Sequence, residues 1–172
     1  MNVTKLILRE TIMDDCPFFA KWETDESVIK YFSISKGRTL EDIKQELKDR
    51  RSSKNEFDFT VVREIDNVPV GRIYVSRYDN VNKSLDITRI YIGDKENRGK
   101  GLGEGALRLI LEHAFNKLKV HRVTLDHFDG NVVAVNLYKK IGFRYEGIAR
   151  DACIKDGLYY DLHLMSLLEN EY

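Results

Sequence analysis

Hydrophobic and polar positions alternate with a period of two over three consecutive segments in the middle of the chain. Residues 57–65 (FDFTVVREI) and 70–78 (VGRIYVSRY) flank a turn at Asp66–Asn67, and this pattern predicts a β-hairpin. A second turn at residues 79–83 leads to a third strand, residues 84–93 (SLDITRIYIG). Further strands are predicted at residues 5–11, 122–127 and 158–168, and the last third of the chain alternates throughout.

Apolar residues spaced three and four apart predict four helices. The first two begin with a threonine followed three residues later by an aspartate, which is typical of a capping box. These pairs are Thr11 with Asp14 and Thr39 with Asp42. The predicted helices run from Thr11 to about Glu23, from Thr39 onward, from Leu102 to Leu118, and over residues 131–141, where Gly142 is a C-terminal cap.

Helices and strands are therefore mixed along the chain, in the order β, α, α, β, β, β, α, β, α, β, β. Tight turns between the middle strands predict an antiparallel part of a mixed α/β sheet. The strand–helix–strand segment over residues 84–127 predicts a parallel, right-handed crossover. A chain of 172 residues is most simply one domain, covering residues 1–172.

Charge and cysteine content narrow the class of protein. The 28 basic and 28 acidic residues balance, which argues against a nucleic-acid partner. Cys16 and Cys153 form no CxxC motif, so we expect a reducing compartment. The N-terminal segment has no long apolar run and no stretch is long enough to span a bilayer, so a cytoplasmic protein without a membrane partner is expected. The four histidines lack metal-ligand spacing, and no metal is expected.

Residues 97–107 (NRGKGLGEGAL) carry a glycine at every second position, directly after a predicted strand and at the start of a predicted helix. The glycines are Gly99, Gly101, Gly103 and Gly105. Free backbone N–H groups at a helix start bind phosphate groups, and Arg98 and Lys100 add positive charge there. The segment therefore predicts a site for a small anionic ligand.

The glycine segment is compared with two nucleotide-binding motifs, the Walker A loop and the dinucleotide GxGxxG motif. A Walker A loop is excluded, because Gly93 and Gly99 enclose five residues and Lys100 is followed by glycine instead of serine or threonine. A dinucleotide GxGxxG motif starting at Gly101 reaches Ala106 instead of glycine, and the preceding strand belongs to antiparallel hairpins. A dinucleotide-dependent oxidoreductase is kept as an alternative hypothesis.

The arrangement Arg98-x-x-Gly101-x-Gly103 after a strand resembles the acetyl-CoA pyrophosphate loop of the GNAT acetyltransferase superfamily. A second motif, residues 131–143 (NVVAVNLYKKIGF), is similar to the second half of the cofactor site in the same family, at the family's usual separation. The element order agrees along nearly the whole chain. The tail, residues 146–168, resembles the subgroup of ribosomal-protein N-terminal and spermidine acetyltransferases.

The resemblance implies a fold, a reaction and a set of cofactor contacts. The implied fold is a mixed, mostly antiparallel sheet of about seven strands with helices on both faces. The implied reaction moves an acetyl group from acetyl-CoA, the co-substrate, directly to a primary amine. Pantetheine is expected along β-strand residues 90–92 and pyrophosphate at the loop. The implied cofactor-binding residues are Ile90, Tyr91, Ile92, Arg98, Gly99, Lys100, Gly101, Leu102, Gly103, Glu104, Asn131, Tyr138 and Lys140.

Tyr138 matches the family tyrosine that donates a proton to the departing CoA thiolate. At the position of the general base the chain departs from the family pattern, because many relatives carry a glutamate where this chain has Ile87. Asp86 stands beside that position, but alternation along a strand places it on the other face unless a bulge intervenes. His127 ends the next strand and is a second candidate base, and a water relay is the third.

The acceptor amine is left open by the sequence. The helices of residues 12–54 and the segment Tyr31–Arg38 are expected to shape its pocket, which fits a protein α-amine, a polyamine, an amino sugar or an antibiotic amine. An acidic pocket for a polyamine is permitted by Glu23, Asp25, Glu26, Glu41, Asp42 and Glu46. A CoA-binding sensor or interaction module without catalysis is a further alternative, and the frequency of dimers among relatives allows a homodimer.

Overall fold

A mixed sheet of seven strands runs through the computed structural model, which describes residues 4–34 and 36–172. The strands lie in the order β1-β2-β3-β4-β5-β7-β6, and only the β4–β5 pair is parallel. Their bounds are β1 Leu6–Glu10, β2 Phe57–Arg63, β3 Pro69–Asp79, β4 Ser84–Ile92, β5 Arg122–Phe128, β6 Arg144–Lys155 and β7 Leu158–Leu168. The predicted mixed, mostly antiparallel sheet is confirmed.

Five α-helices pack on the two faces of this sheet. They are α1 Cys16–Trp22, α2 Glu26–Ile29, α3 Leu40–Arg51, α4 Leu102–Glu112 and α5 Val132–Ile141. The predicted long helix after the glycine segment changes into a π-helical turn over His113–Lys117. The pattern of the sequence did not predict α2, which is only four residues long. No helix among residues 4–34 and 36–172 is long and apolar enough to cross a membrane.

The two predicted capping boxes have different outcomes. At α3, the Thr39 hydroxyl accepts the Asp42 N–H at 3.2 Å and the Asp42 carboxylate accepts the Thr39 N–H at 2.8 Å, as predicted. At the first helix the prediction was wrong, because Asp15 instead of Asp14 accepts an N–H, that of Ile12, at 2.9 Å. The Thr11 hydroxyl is occupied elsewhere, by a 3.0 Å hydrogen bond to Thr60 on β2.

Two separate hydrophobic cores hold the helices against the sheet. The larger core lies under α4 and α5, and the smaller core joins α1, α2 and α3 to Tyr91. Gly93 directly follows β4 and packs against Trp22 of the smaller core. Only glycine fits there, because a Cβ atom would lie 2.1 Å from the Trp22 ring. This close approach fixes the end of β4 beneath α1.

A β-bulge at Thr88 interrupts the alternation of β4. Tyr74 pairs with Arg89 while Val75 pairs with Ile87, so Thr88 is the extra residue. As a result Ile87 packs in the larger core, whereas Tyr91, four residues further on, packs in the smaller one. The bulge therefore changes which side chains of β4 face each layer.

Strands β4 and β5 separate soon after they begin to pair. They are in register only over residues 84–86 with residues 122–124, whereas β5 pairs with β7 over its whole length. The predicted parallel crossover is confirmed, with α4 in the connection. Beyond Asp86 and Thr124 the sheet has a gap, and this gap is the position of the candidate site.

Candidate active site

Two cavities meet in the gap between β4 and β5. The loop cavity, about 260 Å³, borders the glycine loop, β4 and α5. The hairpin cavity, about 320 Å³, borders β3, β4, β5 and the β6–β7 hairpin. Side chains and backbone shared by both linings are those of Tyr31, Phe32, Ile90, Asn131 and Tyr138. A molecule bound in the loop cavity can therefore reach one bound in the hairpin cavity across these residues.

Main-chain groups of β4 face the gap. The Gly93 N–H donates to the Val70 carbonyl on β3 at 2.9 Å, and hydrogen bonding alternates along an antiparallel strand. Backbone groups of Ile90 and Ile92 therefore point the other way, toward β5. The Ile92 carbonyl accepts the Arg98 Nε–H at 3.2 Å, while the backbone of Ile90 faces the cavities.

The glycines of the loop have two different structural roles. Gly99 and Gly101 have left-handed φ angles of 72° and 80°, and a Cβ atom at either would meet nothing within 4 Å. Gly105 instead allows close packing, since a Cβ atom there would approach Leu6 at 3.2 Å, whereas a Cβ atom at Gly103 would make an ordinary contact with Leu137 at 3.8 Å. Gly103 lines the loop cavity. Gly99 and Gly101 form an open cradle, and Gly105 seats α4 against β1.

The start of α4 presents free amide groups to this cradle. Its N-cap is Gly101, which has no side chain to accept the first amides of the helix. The positive end of the helix dipole lies at the same point. The Leu102 side chain is buried in the larger core, so only its backbone could face a ligand.

Arg98 acts as a clamp on the loop. Besides Ile92, its guanidinium donates to the Gly93 carbonyl and to the Ser27 hydroxyl, the latter at 2.8 Å. The side chain also lines the loop cavity, so its positive charge stays close to any ligand there. Arg98 therefore connects the end of β4 with the start of α2.

Three charged residues predicted to bind the cofactor lie outside the linings of both cavities. Lys100 is exposed. Glu104 accepts hydrogen bonds from Lys140 at 2.5 Å and from Arg108 at 3.0 Å. Glu104 and Lys140 thus link α4 to α5 at the surface, beside the cradle.

Tyr138 is placed by the packing of α5. The Asn131 side chain caps that helix by accepting the Ala134 N–H at 3.4 Å, and Gly142 ends it with a φ of 118°. The Tyr138 side chain is 7% exposed and its ring lies against Phe143. Burial and the negative charge of Asp126 raise the pKa of Tyr138, so its hydroxyl keeps its proton at neutral pH.

Asp126 is a functional candidate that the motif analysis missed. It lies on β5, lines the hairpin cavity and is close enough to influence the Tyr138 hydroxyl. Burial and the nearby charge of Asp86 raise the pKa of Asp126 to about 6. The sequence did contain a signal for Asp126, which is a carboxylate on a predicted strand between the buried Leu125 and the candidate base His127.

The structure places the two predicted bases differently. Asp86 is 5% exposed and accepts hydrogen bonds from Thr124 at 2.7 Å and Thr88 at 2.9 Å, so it ties β4 to β5 and lies outside both linings. His127 lines the hairpin cavity, and its ring stacks on His163 at a centroid distance of 5.0 Å. Among the described residues, no group of three or more His, Cys, Asp or Glu side chains could hold a metal ion.

Comparison with known proteins identifies the family. A family model described as "Acetyltransferase (GNAT) domain" matches residues 5–144. "Probable N-acetyltransferase YjcK" of Bacillus subtilis (strain 168) is 30% identical over 124 residues, covering 72% of this chain and 67% of that protein. "Uncharacterized N-acetyltransferase YnaD" of the same organism is 25% identical over 174 residues, covering 100% and 99%. The chain belongs to the GNAT acetyltransferase family.

Solved structures share the fold. A spermidine N-acetyltransferase from Vibrio cholerae, solved in complex with CoA and spermine, superposes with a TM-score of 0.87 at 22% identity, covering 97% of both chains. Another match, described as a probable acetyltransferase, has a TM-score of 0.82 at 25% identity and covers 97% of this chain and 94% of that one. The agreement extends over β6 and β7, beyond the residues matched by the family model.

Family membership decides among the three hypotheses in favour of an acyltransferase that uses acetyl-CoA as co-substrate. The residues of the loop cavity fit this molecule. Open space at Gly99, which lines the cavity, and at Gly101, which lies beside its lining, together with uncapped amides of α4, suits a pyrophosphate. The gap-facing backbone of Ile90 suits the amide-containing arm of pantetheine.

A valine at Gly101 tests the cradle. We expect Gly101→Val to weaken CoA binding at least about 10-fold in calorimetry, because a β-branched residue disfavours the φ of 80° and its side chain fills the open space. Gly157→Val is the matched control, since Gly157 has a φ of 79° with equally open surroundings in the β6–β7 turn. Equal CoA affinity in both variants would show that the loop does not hold the cofactor.

Proposed function

We propose that this protein is an N-acetyltransferase that acetylates a primary amine by direct attack in a ternary complex with acetyl-CoA. The observation that carries the proposal is the meeting of the two cavities at Tyr138 and Ile90. The loop cavity then holds the cofactor, and the hairpin cavity holds the acceptor. Binding both reactants side by side removes much of the entropic cost of their encounter.

Acetyl-CoA supplies an activated acyl group as a thioester. The lone pair of the amine forms the new C–N bond at the thioester carbonyl carbon, and the C–S bond breaks. A backbone N–H of β4 facing the gap, at Ile90 or Ile92, stabilises negative charge developing on the carbonyl oxygen. The amine loses one proton and the thiolate gains one, so the reaction needs an acceptor and a donor of protons.

Tyr138 and Asp126 supply these two roles in the proposal. The Tyr138 hydroxyl is protonated at neutral pH and donates to the departing sulfur. Asp126, with a pKa of about 6, is ionised at neutral pH and accepts the proton of the attacking amine, directly or through water. Because the pKa of Tyr138 is higher than that of Asp126, the proton on Asp126 returns to the tyrosinate, directly or through water, and resets the site.

The other predicted candidates receive supporting roles in this proposal. Asp86 acts through its charge, which contributes to the raised pKa of Asp126. His127 shapes the wall of the hairpin cavity, where its ring is stacked on His163. Both assignments predict that changes at Asp86 or His127 affect activity less than changes at Asp126.

The direct test is a thiol-release assay with acetyl-CoA and a panel of spermidine, aminoglycosides, amino sugars and N-terminal peptides. We expect release that depends on at least one amine, and calorimetric binding of CoA without any amine. CoA binding with no release across a broad panel would contradict the transferase assignment and favour a sensor. Absence of CoA binding would contradict the assignment of the loop cavity itself.

A further inference from the structure

The hairpin cavity contains two arginines and one carboxylate among its charged side chains at neutral pH. The arginines are Arg77 on β3 and Arg89 on β4, and the carboxylate is Asp126 on β5. Asp126 is the proton acceptor in the proposed reaction, whereas Arg77 and Arg89 take no part in its proton transfers. Their surroundings indicate what kind of molecule they bind.

Arg89 has N–H groups that its protein partners leave unused. Its Nη1 donates to Glu23 at 3.3 Å and lies 3.6 Å from Glu46, and its other donors have no hydrogen-bond partner among the described residues. Among residues 4–34 and 36–172, Trp22 Nε1 is the only fully buried side-chain nitrogen or oxygen atom without a hydrogen-bond partner, so no nitrogen of Arg89 is both fully buried and unpaired. The unused donors of Arg89 are therefore not fully buried, and the residue lines the hairpin cavity.

The ion-pair network behind Arg89 does not neutralise it. Its arginines and carboxylates are Arg38, Arg50, Arg72, Arg89, Glu23, Glu46 and Asp58. The arginines outnumber the carboxylates by one. Arg72 holds the shorter contacts, at 2.7 Å to Glu23 and 2.9 Å to Glu46, whereas those of Arg89 are longer. The excess positive charge is thus located at the member of the network that reaches the cavity.

Arg77 contributes a second unpaired charge. It is an exposed residue where the register of β3 and β4 shifts, with a left-handed φ of 52°, and its guanidinium forms no hydrogen bond or ion pair with any described residue. Its positive charge opposes the rise in the pKa of Asp126, which places Arg77 near that carboxylate. An irregular backbone therefore presents a free guanidinium to the cavity.

The acidic residues that would suit a polyamine are engaged elsewhere. Their partners are Arg72 for Glu23 and Glu46, the α2 N-terminus for Asp25, Lys36 for Glu26, Lys44 for Glu41 and the Thr39 N–H for Asp42. None of these six carboxylates lines the hairpin cavity. A polycation entering it would meet the guanidinium groups of Arg77 and Arg89 and one carboxylate.

We propose that the acceptor is a primary amine carrying a carboxylate or phosphate close to its nitrogen, and that Arg77 and Arg89 bind this anion. The inference rests on the proposed acetyl transfer and names its substrate class. A guanidinium binds either anion through charge-assisted hydrogen bonds. Positive charge beside the amine also disfavours the ammonium form, which leaves the nitrogen free to attack.

Matched acceptor pairs test the proposal. Two pairs are small amines with and without an anion: alanine with alaninamide, and glucosamine 6-phosphate with glucosamine. The third pair is two short peptides that differ only in an acidic or a basic second residue. Spermidine is added as a polycation. We expect the anionic member of at least one pair to exceed its partner about 10-fold in kcat/KM. Which pair responds distinguishes a free amino acid, a phosphorylated amine and a peptide.

Reversing the charge of Arg77 supplies the second arm. Arg77→Glu is expected to lower the ratio of kcat/KM for the preferred anionic acceptor to kcat/KM for its uncharged partner about 10-fold or more. The ratio is compared at a pH well above the acid limb of each enzyme, because Arg77 also acts on the pKa of Asp126 and its loss affects both acceptors alike. Lys54→Glu makes the same charge change at an exposed residue outside the hairpin cavity and is expected to leave this ratio unchanged. Arg89→Gln, with thermal unfolding measured alongside, tests the second arginine without introducing a buried carboxylate.

Two results would overturn the inference while leaving acetyl transfer intact. One is a wild-type preference for the uncharged or polycationic acceptor throughout the panel. The other is an equal loss for both members of a pair in Arg77→Glu. Absence of transfer to every amine, by contrast, would contradict the proposed function on which the inference rests.

Discussion

The Tyr138→Phe variant is expected to lose about 100-fold in kcat with any amine that the protein acetylates, while its affinity for CoA stays unchanged. Only the hydroxyl is removed, so the ring keeps its contact with Phe143 in the larger core. Without that proton donor the sulfur must leave as an unprotonated thiolate or take its proton from water. Steady-state kinetics and calorimetry with CoA measure the two quantities separately.

A phenylalanine at Tyr159 is the control for this variant. Tyr159 is 65% exposed and lines neither cavity, so Tyr159→Phe should retain full kcat. A Tyr138→Phe enzyme within about 2-fold of wild type would remove the proposed proton donation to the thiolate. A loss of CoA affinity equal to the loss of kcat would instead assign Tyr138 to cofactor binding.

Most strands and the cofactor loop could be predicted because their signals are local in the sequence. The hairpin of β2 and β3 follows from alternation and one turn, and the α3 start follows from a threonine and an aspartate three residues apart. The glycine cradle is likewise encoded by neighbours, since strand, loop and helix follow one another along the chain. Local backbone chemistry decides each of these elements.

The first helix shows where local signals fail. Thr11 and Asp14 have capping-box spacing, but Thr11 is drawn into a hydrogen bond with Thr60, which is distant in sequence. Asp15 is then held by Arg9 and by the Ile12 N–H, so a 3₁₀ turn over Met13–Asp15 stands where the helix start was predicted, and α1 begins at Cys16. A tertiary contact to β2 therefore overrides a pattern that is correct by its spacing.

The candidate base was missed for the same physical reason. Whether Asp126 can act depends on the separation of β4 from β5, on the charge of Asp86 and on the position of Tyr138 on α5. These partners lie at distant points of the chain. The same holds for the acidic residues of the N-terminal half, which the sequence allows to bind a polyamine. Only the fold shows that Glu23 and Glu46 form ion pairs with Arg72.

Asp126→Asn is expected to lower kcat/KM about 100-fold near neutral pH, because an amide cannot accept the proton of the attacking amine. In the wild-type enzyme, kcat/KM should rise with pH along an acid limb with a midpoint near 6, as the Asp126 carboxyl loses its proton. The variant should lack this limb. Asp156→Asn, at an exposed position in the β6–β7 turn, is the control and should keep both the rate and the limb.

The same substitution should make the folded protein more stable at neutral pH. The pKa of Asp126 is about 6 in the folded state, against 3.8 for an ordinary aspartate, so the folded state retains a proton that the unfolded chain releases. The free energy of unfolding therefore falls as pH rises from about 4 to about 6, and the penalty persists above that range. Asparagine removes a cost of about 3 kcal/mol at neutral pH and little at about pH 4. Unfolding by urea at both pH values measures the difference.

Lower stability of Asp126→Asn at neutral pH would contradict the raised pKa of Asp126. Higher stability together with lost activity would identify Asp126 as a partly buried carboxylate that costs stability and is kept for its role in the reaction.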